Sequence, residues 1–259
     1  MKFTRIFAAI TVASSLAFSV SAHADDQSAA FTDAQKTQIQ SVVHDYLIKN
    51  PEVIADAVQG LQQKQMDQMR AKGQEAALKN AAVLFKQSND PVLGNPDGKV
   101  TLVEFFDYQC PHCVEMDPDL MAVIKANPNL RVVMKEFPIR GPLSLYTSKA
   151  ALAAAKQGKY LEFHEAVMKS AQALSQDKIM DIAKSLGLDV KKLKADMDSA
   201  TTDAQIKATY KLAQELQLYG TPAIFIVKAE TPKDAKAIEF IPGQVDQKYL
   251  QGSIDKVSR

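Results

Sequence analysis

Cysteine is scarce in this 259-residue sequence, which contains only Cys110 and Cys113. A disulfide between them would close so small a loop that it would stabilise the fold weakly, because the stabilisation grows with loop length. A structural zinc site needs four ligands, and the few histidines are scattered along the chain. A covalently attached haem needs a histidine directly after the second cysteine, where this sequence has Val114. The sequence therefore predicts neither a metal site nor a cofactor.

An excess of charge of one sign is also missing, since 31 basic residues face 30 acidic ones. No basic surplus is available to attract nucleic acid or anionic lipid, so we expect no nucleic-acid partner. Beyond residue 24, no stretch approaches the roughly 20 apolar residues that a membrane helix needs. We therefore expect a mature chain without a membrane span.

The first 24 residues have the pattern of a cleaved signal peptide. Lys2 and Arg5 precede the largely apolar stretch Ile6–Val20, and Ala22–Ala24 is a small-x-small cleavage site. The alternative is a retained N-terminal anchor. Export to an oxidising compartment such as the periplasm would allow a disulfide between the two cysteines to persist.

Residues 25–87 are predicted to form a helical arm, almost wholly helical from Thr32, with a first helix capped at Thr32 and a second that restarts at Asn50–Glu52 and extends to Gln87. The second helix is rich in Gln, Lys, Met and Asp, and its apolar stripe is narrow. Two interpretations remain open: a solvated helix, or a helix that docks on another copy of the chain. A thin apolar stripe outside the catalytic core favours self-association.

The rest of the chain has a mixed α/β pattern. After a turn-rich linker at 88–98, residues 99–106, 129–137, 221–227 and 237–241 are predicted strands, and residues 111–127 and 246–257 are predicted helices. The order strand–helix–strand before residue 138 implies a parallel pair. Residues 144–218 are predicted to be helical and inserted between strands of one sheet.

The cysteine pair lies where a buried strand leads into a helix, which is the arrangement of a thiol–disulfide redox site. Pro111 suits the first helical position, so Cys110 would lie at the helix N-terminus, where backbone N–H groups lower a thiol pKa. His112 could add a cationic or hydrogen-bonding neighbour. Cys113, one turn further on, should be more buried and less acidic.

The segment from Val103 through Cys110-Pro111-His112-Cys113 resembles the DsbA family of thioredoxin-fold oxidoreductases, and Gly220-Thr221-Pro222 resembles the cis-proline loop of that fold. The resemblance covers about residues 88–259. It implies an α/β thioredoxin fold with a helical insertion at about 144–218. Residues 25–87 resemble the oligomerisation arms of ScsC-type relatives.

The resemblance also implies roles for single residues. Glu104, six positions before Cys110, matches the family's buried acid that relays protons for the inner cysteine, although an outward-facing side chain is the alternative. Pro222 would be cis and would place the Thr221 backbone beside Cys110 to pair with substrate. Thr221 departs from the valine of prototype oxidases and matches isomerases instead.

These features predict a periplasmic protein disulfide oxidoreductase or isomerase that acts through a mixed disulfide on Cys110. Its expected partners are unfolded or misfolded exported proteins and a membrane redox partner. It should form a homo-oligomer through residues 25–87, with a homodimer favoured over a trimer. The alternative is an oligomeric holdase chaperone or a binding protein for tolerance of metal stress such as copper.

Overall fold

A computed structural model describes residues 31–86, 89–228 and 231–259. The predicted signal peptide, residues 1–24, lies outside the described residues. The chain divides into two compact units, Met1–Val58 and Gln59–Arg259. Within the described ranges, no helix is both long and apolar enough to cross a membrane.

The helices and strands alternate in the second unit after a purely helical start. The helices are α1 (Asp33–Lys49), α2 (Glu52–Lys79), α3 (Ala81–Lys86), α4 (Pro111–Ala126), α5 (Pro142–Ala155), α6 (Tyr160–Lys169), α7 (Gln176–Ser185), α8 (Val190–Met197), α9 (Ala200–Glu215) and α10 (Gln247–Ser258). The strands are β1 (Val92–Gly94), β2 (Val100–Phe106), β3 (Leu130–Glu136), β4 (Ala223–Val227) and β5 (Ile238–Pro242).

The strands form one mixed sheet in the order β1-β3-β2-β4-β5. Strands β2 and β3 are parallel, with α4 as the crossover between them, and the other neighbouring pairs are antiparallel. The predicted parallel pair and the predicted hairpin of β4 and β5 are confirmed. The helices α5 to α9 lie between β3 and β4, which confirms the helical insertion and the thioredoxin-like α/β fold.

Alternate residues of β2 face opposite sides of the sheet, as the period of a strand requires. Leu102 and Phe106 pack in the hydrophobic cluster beneath α4 and the inserted helices. Val103 and Phe105 pack in a second cluster on the other face, with the end of α2, α3 and α9. Glu104 has the parity of the first set, so it points toward the face that carries α4.

The boundary predicted at residue 87 differs from the structure. The end of α2 and the whole of α3 belong to the second unit, where Ala77, Leu84 and Phe85 are buried against the sheet. The predicted second helix also does not continue to residue 87, because α2 ends at Lys79 and the chain turns at Asn80. The side-chain amide of Asn80 donates to the carbonyl of Ala76 and so occupies an acceptor of the last turn of α2.

Strand β1 is absent from the sequence prediction, which treated residues 88–98 as a linker. It pairs Val92 with Val133 and Gly94 with Arg131 at the edge of the sheet. A strand of three residues that follows Pro91 and ends at Gly94 is too short to give an alternating pattern. The segment before it is held by Lys135, whose ammonium lies 2.5 Å from the carboxylate of Asp90 in a buried ion pair.

The first unit is a helical segment without a core of its own among the described residues. Helix α1 begins with a capping box between Thr32 and Gln35, which confirms the predicted cap at Thr32. No residue of 31–58 is buried. Ile39, Val42, Val43 and Tyr46, at the spacing of one helix face, are all exposed.

Candidate active site

Cys110 is held between the end of β2 and the start of α4. Residues 107–109 form the connecting turn, in which the backbone N–H of Cys110 donates to the carbonyl of Asp107 at 3.0 Å. Cys110 is the N-cap residue of α4, and Pro111 takes the first helical position, where its missing N–H costs no hydrogen bond. The predicted helix start at the thiol pair is confirmed.

The side chain of Asp107 holds this turn in place through hydrogen bonds. Its carboxylate accepts hydrogen bonds from the backbone N–H of Gln109, the backbone N–H of Arg140 and the hydroxyl of Ser144, at distances of 2.8, 2.9 and 2.7 Å. A fully buried carboxylate with three donors is well satisfied. Asp107 thereby joins the redox turn to the β3–α5 loop and to α5.

The two thiols are free in this structure and differ sharply in acidity. The pKa of Cys110 is lowered to about 5, chiefly by the hydrogen bond from the Cys113 thiol, and also by the contact with Thr221 and by the N–H groups of Cys113 and His112. Burial, the neighbouring Cys110 sulfur and Glu104 raise the pKa of Cys113 well above its usual range. At neutral pH, Cys110 is therefore the thiolate and Cys113 the thiol.

Each of the two cysteines is only 1% exposed to solvent, but burial affects the acidity of Cys113 more than that of Cys110. The cis-proline loop lies against Cys110, whose Sγ is 3.2 Å from the carbonyl oxygen of Thr221. The difference in pKa therefore comes chiefly from the burial of Cys113 and from the hydrogen bond between the two thiols, with a further contribution from Glu104.

The Thr221–Pro222 peptide is cis, as predicted. Pro222 is buried, whereas Gly220 is exposed and has open space where a side chain would begin. The hydroxyl of Thr221 is buried and has no hydrogen-bond partner among the described residues. The loop thus brings Thr221 to Cys110, and the Thr221 side chain is one of the groups that lower the pKa of that thiol.

The imidazole of His112 has a different neighbour from the one predicted. Its Nδ1 lies 2.7 Å from Oε1 of Gln244, whose amide nitrogen donates to Glu115 at 3.1 Å. The influence of His112 on the Cys110 thiolate comes from its backbone N–H. The sequence could not indicate this, because Gln244 is 132 positions away.

Glu104 faces inward beneath α4 and is 3% exposed, so the alternative of an outward-facing side chain is wrong. Burial raises its pKa to about 8, with further increments from Asp117, Glu136 and Cys110. Its carboxyl is therefore largely protonated near neutral pH and can give or take a proton there. The charge of Glu104 is in turn one of the causes that raise the pKa of Cys113.

A buried polar network that the sequence did not reveal lies on the same side of the sheet. The ring of His164 is fully buried between Asp117, at 2.9 Å, and the hydroxyl of Tyr108, at 3.0 Å. The hydroxyls of Tyr108 and Tyr160 both donate to the carboxylate of Glu136. Burial raises the pKa of Glu136 to about 8.

Metal binding has no obvious site in the parts of the chain that the structure describes. Within 31–86, 89–228 and 231–259, no three His, Cys, Asp or Glu side chains are grouped so that they could hold an ion.

Comparison with known proteins gives matches over both parts of the chain. Residues 101–255 match the family described as DSBA-like thioredoxin domain, and residues 35–68 match the Copper resistance protein ScsC N-terminal domain. The thiol:disulfide interchange protein DsbA of Bordetella parapertussis is 30% identical over 145 residues, which cover 53% of this chain and 68% of that protein.

Two solved structures extend these similarities. A thioredoxin-like oxidoreductase from Silicibacter pomeroyi DSS-3 is 39% identical, with a TM-score of 0.59, over 68% of this chain and 95% of that chain. BcfH of Salmonella enterica Typhimurium is 30% identical, with a TM-score of 0.70, over 87% of this chain and 97% of that chain.

Some curated relatives are much longer proteins. The Na(+)/H(+) antiporter NhaA 3 of Salinispora tropica is 26% identical over 139 residues, and the match spans only 21% of its length. The similarity to such proteins concerns one domain. The match over residues 101–255, together with the thiol pair and the cis-proline loop found there, shows that this chain belongs to the DsbA-like family of thioredoxin domains.

Proposed function

We propose that this protein is a thiol–disulfide oxidoreductase that forms or rearranges disulfides in exported proteins. The observation that carries the proposal is the contrast between Cys110, with a thiol pKa near 5, and Cys113, whose pKa is raised. A stabilised outer thiolate is a good leaving group, and it favours the reduced form of the protein. The oxidised form is then a strong donor of its disulfide.

The reaction balances with the two cysteines and a substrate dithiol. A substrate thiolate attacks Sγ of Cys110, a mixed disulfide forms, and the Cys110–Cys113 bond breaks. The departing Cys113 sulfur takes up a proton, for which Glu104 is the buried carboxyl on the same face of the sheet. The second substrate thiolate then attacks the substrate sulfur of the mixed disulfide and frees Cys110 as the thiolate. Two electrons pass from substrate to protein.

The direction of electron flow depends on features that point both ways. The Pro-His dipeptide and the low pKa of Cys110 support oxidation of substrates. Thr221 and the helical arm support isomerisation, in which reduced Cys110 attacks an existing disulfide. The reduction potential against glutathione, with the thiol state in cells, decides between them: a mostly oxidised protein is a donor, and a mostly reduced one is an isomerase or a reductase.

The exposed apolar face of α1 supports self-association. The apolar side chains of this face are exposed to solvent, because residues 31–58 form no core that could bury them. A contiguous apolar face of this kind is typical of an interaction surface. We propose that the first unit assembles into a homo-oligomer, a dimer rather than a trimer, in the periplasm, and that a membrane redox partner resets the thiol pair.

Replacement of Cys110 by alanine tests the proposed chemistry. We expect Cys110→Ala to abolish both the reduction of small disulfides and the refolding of a reduced, scrambled substrate protein. A chaperone or a copper-tolerance protein would keep its activity without this thiol. Full protection of unfolded clients, or of copper-stressed cells, by Cys110→Ala would therefore overturn the oxidoreductase proposal.

A further inference from the structure

A row of four polar side chains joins β3 to α4 through the interior of the second unit. Oε1 of Glu136 lies 3.2 Å from the hydroxyl of Tyr108, which lies 3.0 Å from Nδ1 of His164. Nε2 of His164 lies 2.9 Å from the carboxyl of Asp117. The first three side chains are buried, whereas that of Asp117 is 12% exposed. We call this continuous hydrogen-bonded path the polar chain.

The polar chain can hold its protons in two ways. Three hydrogen bonds between four groups need three protons, of which the Tyr108 hydroxyl and a neutral imidazole supply one each. The third proton lies either on Glu136 or on the pair of His164 and Asp117. Transfer of the Tyr108 proton to Glu136, and of the Nδ1 proton of His164 to Tyr108, converts one arrangement into the other and keeps every hydrogen bond. The polar chain can therefore carry a proton along its length.

The Glu136 end of the polar chain lies beside Glu104. In the parallel register of β2 and β3, Phe106 pairs with Glu136 and Glu104 pairs with Met134. Met134 packs in the cluster beneath α4, and alternate residues of a strand share a face, so Glu104 and Glu136 point to that side. Two residues along and one strand across correspond to about 8 Å between Cα atoms. The two carboxyls are therefore buried neighbours.

Ionisation of both neighbouring carboxyls at once is unfavourable. Burial raises the pKa of Glu104 and that of Glu136 to about 8. The charged groups with the largest effect on the pKa of Glu104 are all acidic, and Glu136 is one of them. Because like charges in a buried site disfavour each other, a proton lost from Glu104 favours protonation of Glu136.

We propose that the polar chain protonates Glu136 when Glu104 gives its own proton to the departing Cys113 sulfur. One proton then stays on the two neighbouring carboxyls in both redox states. The inference rests on the proposed oxidoreductase function and deepens it. It assigns His164 as a positioning residue, which acts on the inner thiol through the two carboxyls.

The steps balance in protons and electrons. When a substrate thiolate attacks the outer sulfur, the inner sulfur leaves with the electron pair of the disulfide bond and takes the proton of Glu104. The hydroxyl of Tyr108 gives its proton to Glu136 and receives one from Nδ1 of His164. The imidazole is left neutral, with its remaining proton on Nε2 toward Asp117. Re-oxidation of the thiol pair reverses each transfer.

The titratable groups around Glu136 and His164 come from several elements, and each can affect the proton shift. They are Glu104 of β2, Asp107 and Tyr108 of the turn after it, Cys113 and Asp117 of α4, and Tyr160 of α6.

Infrared difference spectroscopy of the full-length protein locates the moving proton. Oxidised protein is reduced with dithiothreitol near neutral pH, and the signal is the carbonyl stretch of protonated carboxyl groups. We expect the wild type to lose one such band and to gain another. Glu104→Gln should remove the loss, and Glu136→Gln should remove the gain. A wild-type spectrum with a loss and no gain would overturn the inference without any variant.

Tyr108→Phe interrupts the polar chain by deletion of one oxygen atom. We expect it to remove the gained band and to slow reduction by a small thiol about ten-fold near neutral pH. The difference in rate should vanish above about pH 8, where Glu104 is ionised and has no proton to give. Equal slowing at every pH would indicate a purely structural role and would overturn the inference.

Two further variants complete the test. His164→Gln keeps hydrogen-bonding atoms but cannot take up and pass on a proton, so it should reproduce both changes. The matched control is Tyr210→Phe, which deletes a hydroxyl that donates to the carbonyl of Pro138 outside the polar chain. It should leave the band and the rate unchanged. A wild-type spectrum for His164→Gln would overturn the role of the imidazole.

Exchange of disulfides with glutathione judges the redox proposal separately. Wild-type protein that exchanges disulfides but gains no carboxyl band retains the proposed chemistry and loses the proton shift. Wild-type protein that never exchanges disulfides loses the proposed function itself. The two failures are therefore distinguishable.

Discussion

At the scale of single residues, the hydrogen bond between the two thiols is the largest cause of the low Cys110 pKa. We expect Cys113→Ala to raise the pKa of Cys110 above 5, because alanine removes the donor. Cys113→Ser, which can still donate, should give an intermediate value. The ultraviolet absorbance of the thiolate as a function of pH measures all three proteins. Identical titration curves would show that the helix N-terminus alone sets the acidity.

Burial of Glu104 makes the folding stability depend on pH in a defined direction. Its pKa rises from an ordinary 4.5 to about 8 on folding, so the unfolded chain releases this proton first. The contribution of Glu104 to stability therefore falls as the pH rises from about 4.5 to about 8, by at most about 1.4 kcal/mol per pH unit. Below that window the contribution is unaffected.

Glu104→Gln should remove this loss. We expect the variant to gain stability over the wild type progressively between about pH 5 and about pH 8, in urea unfolding of the oxidised proteins. The control is Glu75→Gln on α2, where the side chain is exposed and remains in water on folding. A constant difference between Glu104→Gln and wild type across this window would contradict the assignment of a buried, protonated carboxyl.

The fully buried His164 supports its neighbours through both ring nitrogens. His164→Phe keeps the aromatic packing but leaves Asp117 and the Tyr108 hydroxyl without this partner. We expect it to lower the free energy of unfolding by about 1–3 kcal/mol. His44→Phe, at an exposed position, should change it by less than about 0.5 kcal/mol. Equal midpoints of urea unfolding for the two variants would count against the network.

The sequence predicted those site residues whose positions follow from their neighbours along the chain. Cys110, Cys113 and the parity of Glu104 follow from one strand and the helix after it. The polar network could not be predicted, because Tyr108 meets Glu136 and His164 across 28 and 56 positions. The one local signal was that Asp107 and Tyr108 are polar residues between a buried strand and a helix.

At the scale of elements, the contact of α2 with β5 requires a glycine at one position. Gly73→Ala would force the helix or the ring of Phe240 to move, and Phe240 is stacked on Phe225 with ring centroids 4.4 Å apart. We expect a lower melting temperature. Small-to-large changes in packed regions cost typically about 1–3 kcal/mol.

Gly60→Ala is the matched control on the same helix. A Cβ atom at Gly60 would have no neighbour within 4 Å, so the change should stabilise the helix by up to about 1 kcal/mol through its propensity. The two alanines should therefore shift the melting temperature in opposite directions. Shifts of the same sign would contradict the close packing at Gly73.

The long elements were predicted from their patterns, and the short ones were not. Strands β2 to β5 and helix α4 have continuous apolar runs or clear end signals. Strand β1 and helix α3 have only three and six residues, and the sheet to which they pack determines them. The sequence did not indicate that α2 ends before Asn80, because asparagine is also tolerated within helices.

At the scale of the whole molecule, the position of the unit boundary decides which truncation is informative. A chain that starts at residue 59 keeps the buried Ala77, Leu84 and Phe85. We expect it to fold, to sediment as a monomer and to retain disulfide exchange. Its isomerase activity should fall and its oxidase activity should be unchanged or higher, because the arm no longer shields the reduced thiolate.

A chain that starts at residue 88 is the comparison. It exposes the sheet face that α3 covers and removes the carbonyl of Phe85, which accepts from the guanidinium of Arg131 at 2.9 Å. Truncation of two large buried side chains typically costs several kcal/mol each, so this chain should unfold or aggregate. An oligomeric protein starting at residue 59 would refute the assignment of self-association to the first unit.

The three hydrogen bonds of Asp107 have a consequence for protein engineering. The redox turn is bound to a backbone N–H of the β3–α5 loop and to the hydroxyl at the start of α5. A graft of residues 107–113 onto a foreign scaffold would carry the Asp107 carboxylate but leave behind two of its three donors, those of Arg140 and Ser144. The smallest transplantable unit is therefore discontinuous, and consists of the turn, the Arg140 loop and the first turn of α5 moved together.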